Sequence, residues 1–250
     1  MTLKRDGYMP RLVDSKIEKY LKIFGAVSIE GPKWCGKTWS GLNHANSVTY
    51  MTEKSQRDMA NIDPKYIFLA DRPQLIDEWQ IVPGIWDAVR HECDSSRDKG
   101  KFILTGSTSL DSTTSDEIYH SGTGRIATIR MYTMSLYESK DSTGEASIKD
   151  MLQGQLNEGH TGKVELEKLA HLIIRGGWPE NIDMEEDDIG IIPKSYIDTI
   201  VTKDMHESDK RRRDSNKMRM LIRSLSRNEA TLASNATLVR DIEDYKIKRN

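Results

Sequence analysis

The stretch GPKWCGKTWSG, Gly31 to Gly41, decides how this 250-residue chain is read. It fits the pattern G-x-x-x-x-G-K-[ST] through Gly31, Gly36, Lys37 and Thr38. Ahead of it stands AVSIE (26–30), a short apolar run of strand type, and behind it TWSGLNHA (38–45) reads as a helix. A loop in that setting can wrap its backbone amides round two phosphates, because glycine tolerates the required φ values and leaves room for close approach. The helix that starts near Lys37 adds its positive N-terminal end. Lys37 is expected to bridge the β- and γ-phosphates, and the Thr38 hydroxyl to ligate Mg2+. The whole stretch of Gly31, Pro32, Lys33, Trp34, Cys35, Gly36, Lys37, Thr38 and Trp39 is expected to hold the nucleotide. Lys33 and Trp34 have no required role, although Trp34 is placed to shield the phosphates or stack on a partner.

Such a loop calls for an acidic motif on another strand, and PQLIDEWQ (73–80) supplies one. Apolar Leu75 and Ile76 lead into Asp77 and Glu78, and side chains alternate along a strand, so the two carboxylates take different directions. Asp77 is expected to hold the magnesium shell, and Glu78 to polarise the water that attacks the γ-phosphate. An acidic pair here favours hydrolysis of ATP over the chemistry of small-molecule kinases. The separation from the loop allows one intervening strand. KFILTGSTS (101–109) ends in hydroxyls, and Thr105 or Ser107 is a candidate for a polar group at the attacking water or γ-phosphate. Arg125, just ahead of RIATIRMY, is a candidate to neutralise transition-state charge in its own subunit or a neighbour's. The run EEDD (185–188) reads as a solvated acidic loop, and the six histidines show no metal-ligand spacing.

Composition sets the frame. Charged residues make up 30% and hydrophobic ones 36%, and no apolar run approaches the roughly 18 residues that span a bilayer. No membrane partner is expected. Two cysteines far apart, Cys35 and Cys93, argue against a disulfide framework or cysteine zinc site and fit a reducing cytoplasm. Residues 1–202 carry 24 Lys/Arg against 31 Asp/Glu, whereas 203–250 carry 13 against 8. The basic end suits a nucleic-acid or acidic-protein partner, or a solvated helical face.

Apolar runs at 26–30, 47–51, 74–78, 101–106 and 125–132 alternate with helical patterns, which predicts βαβ units and a mainly parallel five-stranded sheet. The first helix, DSKIEKYLKIFG, places Ile17, Tyr20, Leu21 and Phe24 on one face, with Ser15 and Glu18 as a capping box. LDSTTSDEIYHSGTG (110–124) reads as a mobile loop near the sheet's carboxyl edge, and ESKDSTGEAS (138–147) as a linker. The domains are therefore expected at 1–145 and 146–250. Past the linker only helical stripes follow, among them Leu166, Leu169, Ala170 and Ile173, read as packing surface.

YMPRLVDSKIEKYLKIFGAVSIEGPKWCGKT, RPQLIDEWQIVPGIWDAVR, KFILTGSTS and GRIATIRMYTMSLYES resemble the bacterial and archaeal AAA-like P-loop ATPases that carry a C-terminal domain of unknown function. LIIRGGWPENI, KSYIDTIVTKDM and LIRSLSRNEATLASNATLVRDI resemble that second domain, the last of them its helix-turn-helix or winged-helix-like part. The resemblance implies an α/β P-loop NTPase of AAA/ASCE type followed by a small all-helical, winged-helix-like domain. It also implies ATP and Mg2+ as cofactors, held by Gly31, Gly36, Lys37, Thr38, Asp77 and Glu78. Arg11 and Arg125 match recurring arginines without an assigned role. Family members usually run on into a nuclease-like region, so the chain is expected to be truncated in its second domain. A nucleotide-gated binding module with little turnover is the alternative to an ATPase.

Overall fold

The computed structural model describes residues 3–107, 122–155, 162–204 and 214–247. Five short strands carry the fold: β1 (Ala26–Gly31), β2 (Ser47–Tyr50), β3 (Gln74–Asp77), β4 (Phe102–Ser107) and β5 (Ile126–Arg130). All pair parallel, in the order β2-β3-β4-β1-β5. Parallel neighbours need crossovers, and α2 (Lys37–His44), α3 (Lys54–Ile62) and α4 (Gly84–Ser95) supply them, while α1 (Asp14–Ile23) leads into β1. The loop expected at 110–124 lies outside the described residues up to Ser121.

Strands covered on both faces must be apolar on both, which is why their sequences run nearly continuously hydrophobic. On one face Ala26, Ile76, Phe102 and Leu104 pack against Trp79, Ile85, Trp86 and Val89. On the other, Val27, Ile29, Leu75 and Ile103 meet Ile17 of α1 and Leu42 of α2. The Trp79 and Trp86 rings lie 4.9 Å apart between centroids, and the Arg72 guanidinium stacks 3.8 Å from the Phe102 ring.

Three local expectations change. Helix α1 has no capping box: Val13 is already helical (φ −73°, ψ −17°), so Ser15 falls inside the first turn and its Oγ donates to the Leu12 carbonyl. Strand β3 ends at Asp77, because Glu78 turns into the left-handed region (φ 56°). Helix α3 was not foreseen; it is polar nearly all round and buries only Ala60, so it carries no apolar stripe to read.

By compactness the chain divides into Met1–Gly190 and Ile191–Asn250. The segment after residue 145 stays with the first unit through α5 (Ile148–Leu152) and α6 (Leu166–Arg175). There the Met134 amide donates to the Gly177 carbonyl at 2.6 Å, and Arg175 Nη2 donates to Asp141 Oδ2 at 2.6 Å. With Arg175 turned inward, the α6 stripe expected to pack is instead exposed at Leu166, Leu169 and Ile173.

The second unit consists of α7 (Ile191–Thr199), which runs into a π-turn at Ile200–Asp204, then α8 (Ser215–Arg227) and α9 (Asn235–Ile247). Asp214 caps α8 by accepting the Asn216 amide at 2.8 Å. Arg219 pairs with Asp198 of α7 at 2.7 Å, and Arg227 with Asp241 of α9 at 3.3 Å. Among the described residues after β5 there are helices and turns but no strand, so the second domain is helical as expected, without a wing among those residues.

Candidate functional site

The loop 31–38 leaves the carboxyl end of β1 and enters α2 at Lys37. Gly36 has φ 99°, a left-handed conformation that glycine adopts at no steric cost, and Trp34 beside it also has positive φ (66°). Gly31 is pressed against the strand's continuation: a Cβ there would lie 2.2 Å from the Met131 carbonyl oxygen. That neighbour is backbone and cannot swing aside. Gly31→Ala is therefore expected to cost about 3 kcal/mol of stability, read as a lowered midpoint in thermal unfolding. Cys35 is fully buried with its thiol free, and burial pushes that thiol up from its ordinary value.

Lys37 is only 5% exposed, and its Nζ donates to the Gly31 and Pro32 carbonyls at 3.0 and 2.9 Å. Thr38 Oγ1 donates to Asp77 Oδ1 at 2.8 Å, and Thr105 Oγ1 donates to the same oxygen at 2.6 Å. Strand β4 thus lies between the loop strand and the acidic strand, and its Thr105 stands opposite Asp77 in register. Asp77 is 7% exposed and Thr105 fully buried. Ser107 is the last residue of β4, opposite Gly31, at the same sheet edge as the loop.

Glu78 follows directly, and its Oε2 accepts a hydrogen bond from Gln80 Nε2. Pro32, Lys33 and Trp39 lie in or beside the loop as expected, with Trp34 and Trp39 exposed. Arg125 does not join the site of its own chain. It precedes β5, whose start pairs with the start of β1, so it sits at the amino edge of the sheet. Five strand residues, about 16 Å, separate that edge from the loop. Its Nε pairs instead with Asp94 at 2.8 Å.

Sequence reasoning left Arg11 without a role, and the structure gives it one. Its Nη1 donates to the Cys35 carbonyl inside the loop at 2.7 Å, and its Nη2 to the Tyr132 carbonyl at 2.8 Å. Its Nε pairs with Glu138 at 3.0 Å, both side chains being almost fully buried. Glu138 also accepts the Leu12 and Ser135 amides at 2.7 and 2.8 Å. Burial alone would raise the Glu138 carboxyl, but those amides and the Arg11 guanidinium outweigh it and hold the group below its ordinary value. A carboxylate lowered on folding contributes stability that is complete above its unfolded value and is lost as pH falls through the folded one. Acid titration of thermal stability should therefore show a loss below about pH 4.3, the ordinary carboxylate value, that is smaller in Glu138→Gln.

With this geometry in hand, the family comparisons become specific. Residues 24–140 match the family described as AAA domain. That match spans all five strands, the loop and the acidic motif. Residues 166–249 match a domain of unknown function, DUF8612, so the AAA domain is followed by the second domain that the resemblance implied. The sheet with its loop and acidic strand is that of an α/β P-loop NTPase, joined to a helical domain.

Solved structures similar to this chain include the Walker-type ATPase of Pyrococcus abyssi, at 15% identity and TM-score 0.48, covering 98% of this chain and 91% of that one. AMPPCP-bound DnaA from Aquifex aeolicus follows at 13% identity and TM-score 0.46, covering 99% and 92%. The Aeropyrum pernix ORC2 protein matches at 13% and 0.40, covering 99% and 84%. No curated protein matches the chain. No helix among the described residues is long and apolar enough to cross a membrane.

Proposed function

We propose that the chain binds ATP with Mg2+ at the carboxyl edge of the sheet and hydrolyses it. The observation that carries this reading is that Thr38 and Thr105 both donate to Asp77 Oδ1, at 2.8 and 2.6 Å, beside a loop whose own carbonyls hold Lys37 Nζ at 3.0 and 2.9 Å. The loop amides and Lys37 hold the phosphate tail, and Lys37 has the compact, mobile ammonium suited to that task. Thr38 and Asp77 are hard oxygen donors of the kind Mg2+ takes. Among the described residues no group of three or more His, Cys, Asp or Glu gathers into a cage, which suits an ion completed by phosphate oxygens and water. When bound, Mg2+ would neutralise charge on those phosphate oxygens.

Thr105 orients Asp77 through its buried hydroxyl, and Ser107 is the better candidate to face the γ-phosphate, since it stands at the loop's edge. Glu78 accepts a proton from the attacking water. The test is calorimetric titration with ATP and magnesium beside a phosphate-release assay on the purified chain. Uptake with turnover supports the reading, and no uptake at millimolar ATP ends it.

A second reading, a nucleotide-gated module with little turnover, is favoured by one contact. Gln80 engages the Glu78 carboxylate in a hydrogen bond, so one of its oxygens is turned to a neighbouring side chain and not to a water. Uptake without phosphate release would decide for that reading. A nucleic-acid or protein partner belongs to the basic residues after 203. Two of the α8 arginines spend their charge on Asp198 and Asp241, so salt-dependent filter binding measures what remains.

A further inference from the structure

Arg11 lies outside the loop in sequence, yet its side chain reaches the loop backbone. Its guanidinium offers five donors in a fixed plane. Three of its nitrogens are engaged on separate elements: the loop at Cys35, the backbone after β5 at Tyr132, and Glu138. In a trans peptide the carbonyl of one residue and the amide of the next point in opposite directions. Pinning the Cys35 oxygen toward Arg11 therefore turns the Gly36 N–H the other way, away from the guanidinium. Gly36 itself is held close, since a Cβ on it would come 3.3 Å from Arg11 Nη1.

We infer that Arg11 is a positioning residue for nucleotide binding, which sets the Cys35–Gly36 peptide so that the Gly36 amide faces the phosphate chain. This inference rests on the ATP-binding reading above and deepens it. Arg11 acts through hydrogen-bond geometry and not through its charge, because Glu138 neutralises that charge at 3.0 Å. Glu138 in turn fixes the angle of the guanidinium and ties it to the amides of Leu12 and Ser135. A lysine at position 11 would keep the charge but lose the planar fork.

The experiment is titration of the 250-residue chain with a non-hydrolysable ATP analogue and magnesium, at several salt concentrations, with unfolding midpoints recorded in parallel. Arg11→Lys and Arg11→Ala should both weaken binding by at least about tenfold, the scale of one charge-assisted hydrogen bond. In Arg11→Lys, which keeps the pair with Glu138 neutral, the slope of affinity against salt should stay that of the wild type. Glu138→Ala should weaken binding several-fold, and Glu138→Gln, which still accepts from Arg11 and Leu12, should restore most of it. Arg11→Lys that binds as tightly as wild type overturns the inference, and so does Glu138→Ala without effect. If the Arg11 variants do not fold, the Glu138 pair decides alone. A wild type that takes up no nucleotide sinks the ATP-binding reading instead, so the two failures are distinct.

Discussion

Lys37→Met is expected to lower ATP affinity about 100-fold while leaving the fold intact. Methionine keeps the aliphatic length of the buried stem but removes every donor from its tip. The lost contacts are charge-assisted hydrogen bonds to phosphate, and about 3 kcal/mol is a fair scale for them in a site shielded from water. The Gly31 and Pro32 carbonyls also lose their donor, the first of them in a buried hydrogen bond, so the unfolding midpoint should fall by the cost of about one such bond. Calorimetry with ATP and magnesium checks the affinity, and a variant that binds like wild type would remove Lys37 from the site.

The second large effect separates binding from chemistry. Glu78→Gln should cut phosphate release by about 10²–10⁴-fold, the range for losing a general base, with ATP affinity changed by no more than about threefold. Glutamine can still accept from Gln80, so the local turn at φ 56° is kept and the loss isolates the carboxylate. Single-turnover measurement on preformed complex distinguishes a slowed chemical step from slowed release. Equal turnover in the variant and the wild type would mean that another group activates the water.

Much of this was legible before the structure. The five strands were readable because parallel strands buried on both faces must be apolar throughout, and α1, α2 and α4 because each lays one apolar face on that sheet. Helix α3 was not, since a helix that buries one alanine leaves no period in its sequence. The α6 stripe misled for a related reason: periodicity tells which face is apolar and says nothing of what covers it. The site divides the same way. Spacing located Lys37, Thr38 and Asp77, whose chemistry is local to two motifs. Arg125 could have been kept out of its own chain's site, because a residue that precedes a parallel strand must lie at the edge opposite a loop that follows one; its expected role in a neighbour's site is untouched by that. Arg11 was marked by the resemblance but given no role, because its partners at Cys35, Tyr132 and Glu138 are brought to it only by folding.

One contact has mechanical meaning. The backbone of Met131–Met134 is gripped at both ends by bare glycine: Gly31 abuts the Met131 oxygen, and a Cβ on Gly177 would likewise come 2.2 Å from the Met134 oxygen. Side chains are compliant spacers that dissipate small displacements by rotating; none is interposed at either grip. A shift of either glycine therefore bears directly on the backbone it abuts.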